Sequence, residues 1–390
     1  MSSRFWAHSR YDSWVKILIL MPLRYPTEKA YGTNVAYTAE AFRELGHEVY
    51  IFTAGVDTCD QRNNKVTGIT SHFIRIANKL RSLENVSLFS KFGFYLLQVS
   101  FTLKMAQKIR TFADNTLILT RFPLVSIGIC LLLNRKKILL ELHQVPNQLE
   151  LKLLKFTKKY IVIYVTNVFL SQDLVLRGYN GRIWVIPNAA PESFHQIKPK
   201  LSGSGKKITI GYAGKALSSG HDNGLDIILR LLKSNPEVAE IAKWLLIGCE
   251  EFFQEKVEEM LSCGIIPKDS VQVIDHIDHS KLLRYVSEFD AALIPYPENK
   301  YYSISFPIKI IEMAAAGIPI IVSNTQSHRR ILGEEGMKFS YEPESESSLK
   351  STIECVWSNT RLLVEESERL KLFSRDNTYS NKVKKIIELQ

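Results

Sequence analysis

Apolar residues in this chain fall into short unbroken runs, and between the runs polar positions return every three or four residues. Residues 15–21, VKILILM, are the first run and read as a strand buried on both faces of a parallel sheet. A loop over 22–32, a helix over 33–45 closed by Gly46, and a strand over 48–53 complete a βαβ unit. Residues 116–120 and 137–142 read as further strands among helical stretches. The second half repeats the alternation, with strands over 207–214, 244–248, 271–274 and 291–294. Helices follow over 347–372 and 381–390. Strands alternating with helical patterns predict an α/β protein with parallel sheets.

The 390 residues exceed one ordinary domain and fit two. A polar stretch over 198–207, containing Ser202-Gly203-Ser204-Gly205, has a linker's composition. The expected division is residues 14–197, residues 206–372, and a final segment, 373–390, whose helix crosses back to the first domain.

The most informative stretch is residues 294–323. It reads as strand end, polar aromatic loop, helix, turn and strand. Ser305 is the expected N-cap, with Pro307 in the first turn, where its missing N–H costs nothing. Gly317 ends the helix and Pro319 forbids its continuation. Lys309 in the first turn opposes the helix dipole. An anion between it and the free N–H groups reverses that penalty, and phosphate is the usual one. Glu312, three residues on, shares its face and could accept from two sugar hydroxyls. A surface helix with an i,i+3 ion pair fits the same spacing.

The pattern Pro307-x-Lys309-x-x-Glu312-x-x-Ala315-x-Gly317-x-Pro319 resembles the donor-site signature of retaining nucleotide-sugar glycosyltransferases of the GT-B fold, family 4. The family's usual Glu-x7-Glu motif would place its first Glu at Ile304, so this chain matches the Pro-x-Lys-x-x-Glu variant instead. The resemblance spans roughly residues 15–345 and implies two facing Rossmann-like domains with the active site in the cleft. It implies transfer of a sugar from a UDP- or GDP-type donor to a saccharide or lipid-linked acceptor hydroxyl, with retention. Polysaccharide or glycolipid biosynthesis is the expected setting. The implied donor-binding residues are Gly214, Lys215, Asn223, Ile277, Ser305, Phe306, Ile308, Lys309 and Glu312. Lys215 stands for the family's arginine and Asn223 for its lysine. The implied catalytic residues are His143, at a strand end near the transferred sugar, with Lys215 and Lys309 on the departing diphosphate. Tyr31, Gly32 and Thr33 occupy the place of the glycine-rich acceptor-side loop, although a simple turn explains one glycine as well. A strand-end histidine such as His143 also serves structural roles, and Lys215 could be a plain loop lysine.

Composition narrows the partners. The net charge of +10 suits phosphorylated substrates or an anionic surface. No helix-turn-helix, zinc-finger or RNA-binding signature accompanies it, which excludes a nucleic-acid reading. Five scattered cysteines lack metal spacing and read mostly as core thiols in a reducing cytosol. The segment Asp275-His276-Ile277-Asp278-His279 fits a strand end and N-cap better than a metal site, so neither metal nor other cofactor is expected. Residues 1–13 lack the apolar core of a signal peptide, and no apolar run approaches 20 residues. A cytoplasmic protein, soluble or peripheral at the membrane, is expected. Lys152, Lys155, Lys158 and Lys159 crowd one helix and form either a solvated face or an anionic-lipid contact. The absent first Glu and the Asn at the lysine position leave a second reading open, a non-catalytic subunit that binds nucleotide sugar or a partner enzyme.

Overall fold

The computed structural model of the protein describes residues 15–23, 25, 30–54, 69–73, 89–113, 115–134, 137–202, 205–218, 221–299, 302 and 307–389. The chain divides into two compact units. One holds Met1–Pro187 with Ser380–Gln390, and the other holds Asn188–Tyr379.

The first unit is built on seven strands: β1 (Lys16–Met21), β2 (Glu48–Thr53), β3 (Ile69–Phe73), β4 (Leu117–Thr120), β5 (Ile138–Leu142), β6 (Ile161–Val165) and β7 (Ile183–Val185). All are parallel, in the order β3-β2-β1-β4-β5-β6-β7. The helices between them are α1 (Ala30–Glu44), α2 (Phe89–Ile109), α3 (Pro123–Leu133), α4 (Gln148–Thr157) and α5 (Val168–Leu176). Helix α1 begins three residues earlier than the sequence pattern predicts. One glycine in a first turn costs only about 1 kcal/mol relative to alanine. The inner face of α1, with Val35, Ala39 and Phe42 buried, outweighs that cost.

The second unit opens with the one-turn α6 (Glu192–His195). Its sheet is also parallel: β8 (Ile208–Ala213), β11 (Ala242–Ile247), β12 (Val271–Ile274), β13 (Ala291–Ile294), β14 (Ile320–Ser323) and β15 (Ser340–Tyr341), in the order β12-β11-β8-β13-β14-β15. A two-residue ladder, β9 (Leu217–Ser218) with β10 (His221–Asp222), projects after β8. Successive strand residues enter opposite cores. Trp244 and Leu246 pack on one face, and Leu245 and Ile247 on the other. The helices are α7 (Asp226–Ser234), α8 (Val238–Ile241), α9 (Glu251–Ser262), α10 (His279–Val286), α11 (Ile308–Ala316), α12 (Gln326–Leu332), α13 (Glu346–Ser358) and α14 (Thr360–Ser374). The single helix expected over 347–372 is broken at Asn359, whose side chain accepts from Leu362 N at 3.1 Å and starts α14. The last helix, α15 (Tyr379–Ile387), carries the chain back into the first unit.

Strand order reverses between β1 and β4 in the first unit and between β8 and β13 in the second. Doubly wound sheets bind ligands at such switch points, beyond the carboxyl ends of the strands. Among the described residues no helix is long and apolar enough to cross a membrane.

Candidate active site

In the second unit the segments leaving β8, β11, β12 and β13 gather at the switch point. Helix α11 enters there with Pro307 as its N-cap, and no side chain caps it among the described residues. Ser305 and Phe306 lie outside the described residues, as does Ile304. The helix is no surface helix: Ile310 through Ala316 are all buried. Gly317 closes it in the left-handed region at φ 68°.

Lys309 and Glu312 do not pair with each other. The Lys309 ammonium donates to the Tyr212 hydroxyl at 2.8 Å and lies 4.1 Å from that ring's centroid, with Tyr296 at 5.6 Å. Among the described residues no carboxylate comes within ion-pair distance of it. Burial pulls its pKa down to about 8, against the opposing influence of Cys249 and the charges of Glu312 and Glu250. A cation held this way is short of an anion.

Gly214 makes room for it. A β-carbon there would lie 2.3 Å from Lys309 Nζ, and its φ of 140° disfavours any side chain. Lys215 follows with its side chain exposed. Its carbonyl is fixed twice, by the Tyr212 hydroxyl at 2.7 Å and Asn223 Nδ2 at 2.6 Å. Ala216 N is held by Glu250 Oε2 at 2.6 Å. The backbone at Lys215 and Ala216 is therefore held from three sides, while the exposed Lys215 ammonium has no hydrogen bond or ion pair among the described residues.

Asn223 departs from expectation. It is fully buried, its amide spent on Lys215 and its carbonyl accepting from the Tyr302 hydroxyl. In this structure it braces the backbone at Lys215. It directly follows β10, and its inward orientation is something a sequence offset cannot reveal.

Glu312 is 6% exposed, and its Oε1 lies 2.9 Å from His279 Nε2, at the start of α10. Burial lowers the His279 pKa, but the bond to Glu312 and its charge outweigh that and raise it. Asp278 is the α10 N-cap, without a side-chain hydrogen bond. Ile277, just before it, is half-buried against the core, and Ile308 is half-buried at the α11 start. Among the described residues no group of three His, Cys, Asp or Glu side chains is placed to hold a metal ion.

In the first unit His143 follows β5. Its Nε2 lies 3.2 Å from Oε1 of Glu141, a carboxylate that is 2% exposed. Burial first, then the Arg121 charge, lowers the His143 pKa. With 34% of the side chain exposed, solvent softens that push. Arg121 Nε reaches Glu141 Oε2 at 2.8 Å, and Lys382 Nζ from α15 reaches Oε1 at 2.8 Å. Burial alone would raise Glu141, yet these two cations hold it well below the carboxylate range. Asn34 accepts from both cations. The sequence reading passed over Arg121, Glu141 and Lys382. The only signal was two charges, Arg121 and Glu141, at the ends of apolar strands. Tyr31, Gly32 and Thr33 stand in the first turn of α1, not in a loop.

Of the four described cysteines, Cys130 and Cys249 are buried, whereas Cys263 and Cys355 are exposed, contrary to the core reading. Burial pushes the Cys249 thiol up to about 12. On α4 and just past its end, Lys152, Lys158 and Lys159 are exposed together with Leu149 and Phe156, the latter 80% exposed. Lys155 bonds the Arg177 carbonyl at 3.1 Å, and Lys158 the Asn180 side-chain oxygen at 2.9 Å.

Residues 207–359 match the family model described as glycosyl transferases group 1. No curated protein matches the chain by sequence. The fold matches a glycosyltransferase from Rickettsia africae, with a TM-score of 0.71 at 16% identity over 96% of this chain and 97% of the other. A sucrose-phosphate synthase from Thermosynechococcus elongatus gives 0.70 at 15% identity, over 96% and 98%. The Anabaena protein HepE in complex with UDP gives 0.69 at 13% identity, over 96% and 99%. The fold is thus that of the GT-B enzymes, with two Rossmann-like units.

Proposed function

We propose, from the premise that the chain is a glycosyltransferase whose residues 207–359 form a group 1 domain, that it transfers a sugar from a nucleoside diphosphate sugar to an acceptor hydroxyl with retention. The observation that carries this reading is Lys309. A cation drawn down by burial, beside a glycine that leaves it room and a helix start without a side-chain cap, awaits a diphosphate. Glu312 then accepts from the ribose hydroxyls. The HepE complex with UDP supports a uridine donor, and GDP is the alternative base.

In the reaction the bond from the anomeric carbon to the diphosphate oxygen breaks, and the diphosphate leaves with the electron pair. The acceptor oxygen bonds to the same face of that carbon, and its proton passes to the departing phosphate. Lys309 and the free Lys215 ammonium oppose the charge that accumulates on the diphosphate. The family resemblance gives His143 the role beside the transferred sugar. The acceptor is a saccharide or lipid-linked hydroxyl in polysaccharide or glycolipid synthesis. The apolar and basic face of α4 suits an anionic membrane surface in the cytoplasm.

Thermal shifts with UDP, GDP and their sugars identify the donor. Steady-state transfer then tests the role of Lys215. Lys215→Ala is expected to lower turnover by about 10²–10³ with a much smaller loss of donor binding. Turnover equal to the parent's rejects diphosphate stabilisation by this loop.

A further inference from the structure

The first unit holds a buried charge cluster assembled from five separate elements. Glu141 is the next-to-last residue of β5, Arg121 follows β4, Asn34 lies in α1, Tyr164 belongs to β6, and Lys382 comes from α15. Lys382 is 3% exposed and separated from Glu141 by 241 residues of sequence. Its ammonium and the His143 ring meet the same carboxylate oxygen, Oε1, at 2.8 and 3.2 Å. Oε2 belongs to Arg121. Two cations thus share one carboxylate, and the histidine stands beside that surplus of positive charge.

We propose that Lys382 is a positioning residue for His143: with Arg121 it fixes the Glu141 carboxylate against which the imidazole stands, and its positive charge adds to that of Arg121 beside the ring. Lys382 touches no reacting atom and acts through Glu141. Its location on the last helix makes seating of α15 a condition for a properly charged site in this unit. A neutral imidazole is the form that can accept or share a proton or hydrogen bond near neutral pH. The groups facing His143 are Glu141, which favours its protonation, and Arg121 and Lys382, which oppose it. Tyr164, fully buried and held in its neutral phenol form by that burial, completes the wall around Glu141.

The inference rests on the reading that His143 serves the transferred sugar, but its test does not. Histidine ring resonances of the full chain are followed against pH by NMR, with His143 identified by the signal lost in His143→Gln. Lys382→Met and Lys382→Gln remove the charge, and glutamine keeps a donor for Oε1. Lys382→Arg keeps the charge. The expected result is an upward shift of the His143 titration midpoint in both uncharged variants and a parent-like midpoint in Lys382→Arg. A merely structural lysine would lower the melting temperature without moving that midpoint. Folded uncharged variants with the parent's midpoint overturn the proposal. So does failure of both to fold while Lys382→Arg folds, which assigns Lys382 to stability alone. A confirmed shift in a protein that shows no glycosyl transfer would leave the positioning intact and reject the sugar role.

Discussion

Replacing Lys309 with methionine tests whether its strained charge exists for a ligand. Methionine keeps the apolar stem and removes the ammonium. Displacement of the lysine from 10.5 to about 8 corresponds to about 3 kcal/mol of folding free energy at neutral pH. The side chain is only half-buried, and methionine forfeits the bond to Tyr212 and the ring contact, so a gain of roughly 0.5–2 kcal/mol remains. For a unit of this size that is a rise of about 1–8 °C in melting temperature. The sign with pH is fixed. Below about pH 8 the folded parent carries the charged lysine at full cost. As pH rises from about 8 to 10.5 the folded form sheds its proton first and the cost fades. The parent therefore gains stability on Lys309→Met across that window, and the two converge above it. Scanning calorimetry of both full chains, with and without the nucleoside diphosphate, supplies the assay. The variant is expected to melt higher when free and to lose most of the ligand-induced rise. In the parent, nucleotide affinity is expected to fall as pH climbs through about 8, because the ligand meets fewer ammonium groups. A variant that melts below the parent, shows no convergence at high pH and keeps the full nucleotide response would refute the reasoning.

Further outcomes follow from the same geometry. Gly214→Ala puts a β-carbon against Lys309 Nζ and strains φ 140°, so nucleotide binding measured by calorimetric titration is expected to fall at least tenfold, about 1.4 kcal/mol. Asn223→Ala removes one of the two hydrogen bonds to the Lys215 carbonyl and one made by the Tyr302 hydroxyl, a loss of about 1–3 kcal/mol readable by urea unfolding. Glu312→Ala is expected to weaken the nucleoside diphosphate by about 1.5–3 kcal/mol with the fold retained, and unchanged affinity rejects the ribose role. Sedimentation with anionic vesicles is expected to show binding that declines as salt rises and weakens in Phe156→Asp; equal binding to neutral vesicles at low salt removes the membrane role.

The elements that sequence made legible are those where burial is local. Strands such as LILT at 117–120 are apolar on both faces, so their composition alone announces a parallel sheet. Lys309 was legible because a cation in a helix's first turn contradicts the dipole and demands a reason. The partners were not legible. Glu312 turns to His279, 33 residues away, and Lys309 to Tyr212, 97 residues away, contacts that only the folded sheet brings about. Asn223 could be placed after the first strand of the second unit, but its buried contacts with Lys215 and Tyr302 appear only in the fold. Lys382 carried no sequence signal at all. In a helix with Lys384 and Lys385, it looks like one more solvated lysine until Glu141 is set beside it.

The re-entry of α15 has a consequence for how the chain is made. Translation delivers Glu141 long before Lys382, and at about 5–20 residues per second the interval of 241 residues lasts roughly 12–48 s. Throughout that interval the nascent first unit has its β5 carboxylate and Arg121 but not the ammonium that completes the set. The groove that α15 fills, with Val383 and Ile386 among its fully buried residues, stays open for the same time. The second unit is synthesised entirely within this window. The first unit to begin folding is thus the last to finish, and on the ribosome its unfilled groove presents apolar surface to chaperones until the final helix emerges.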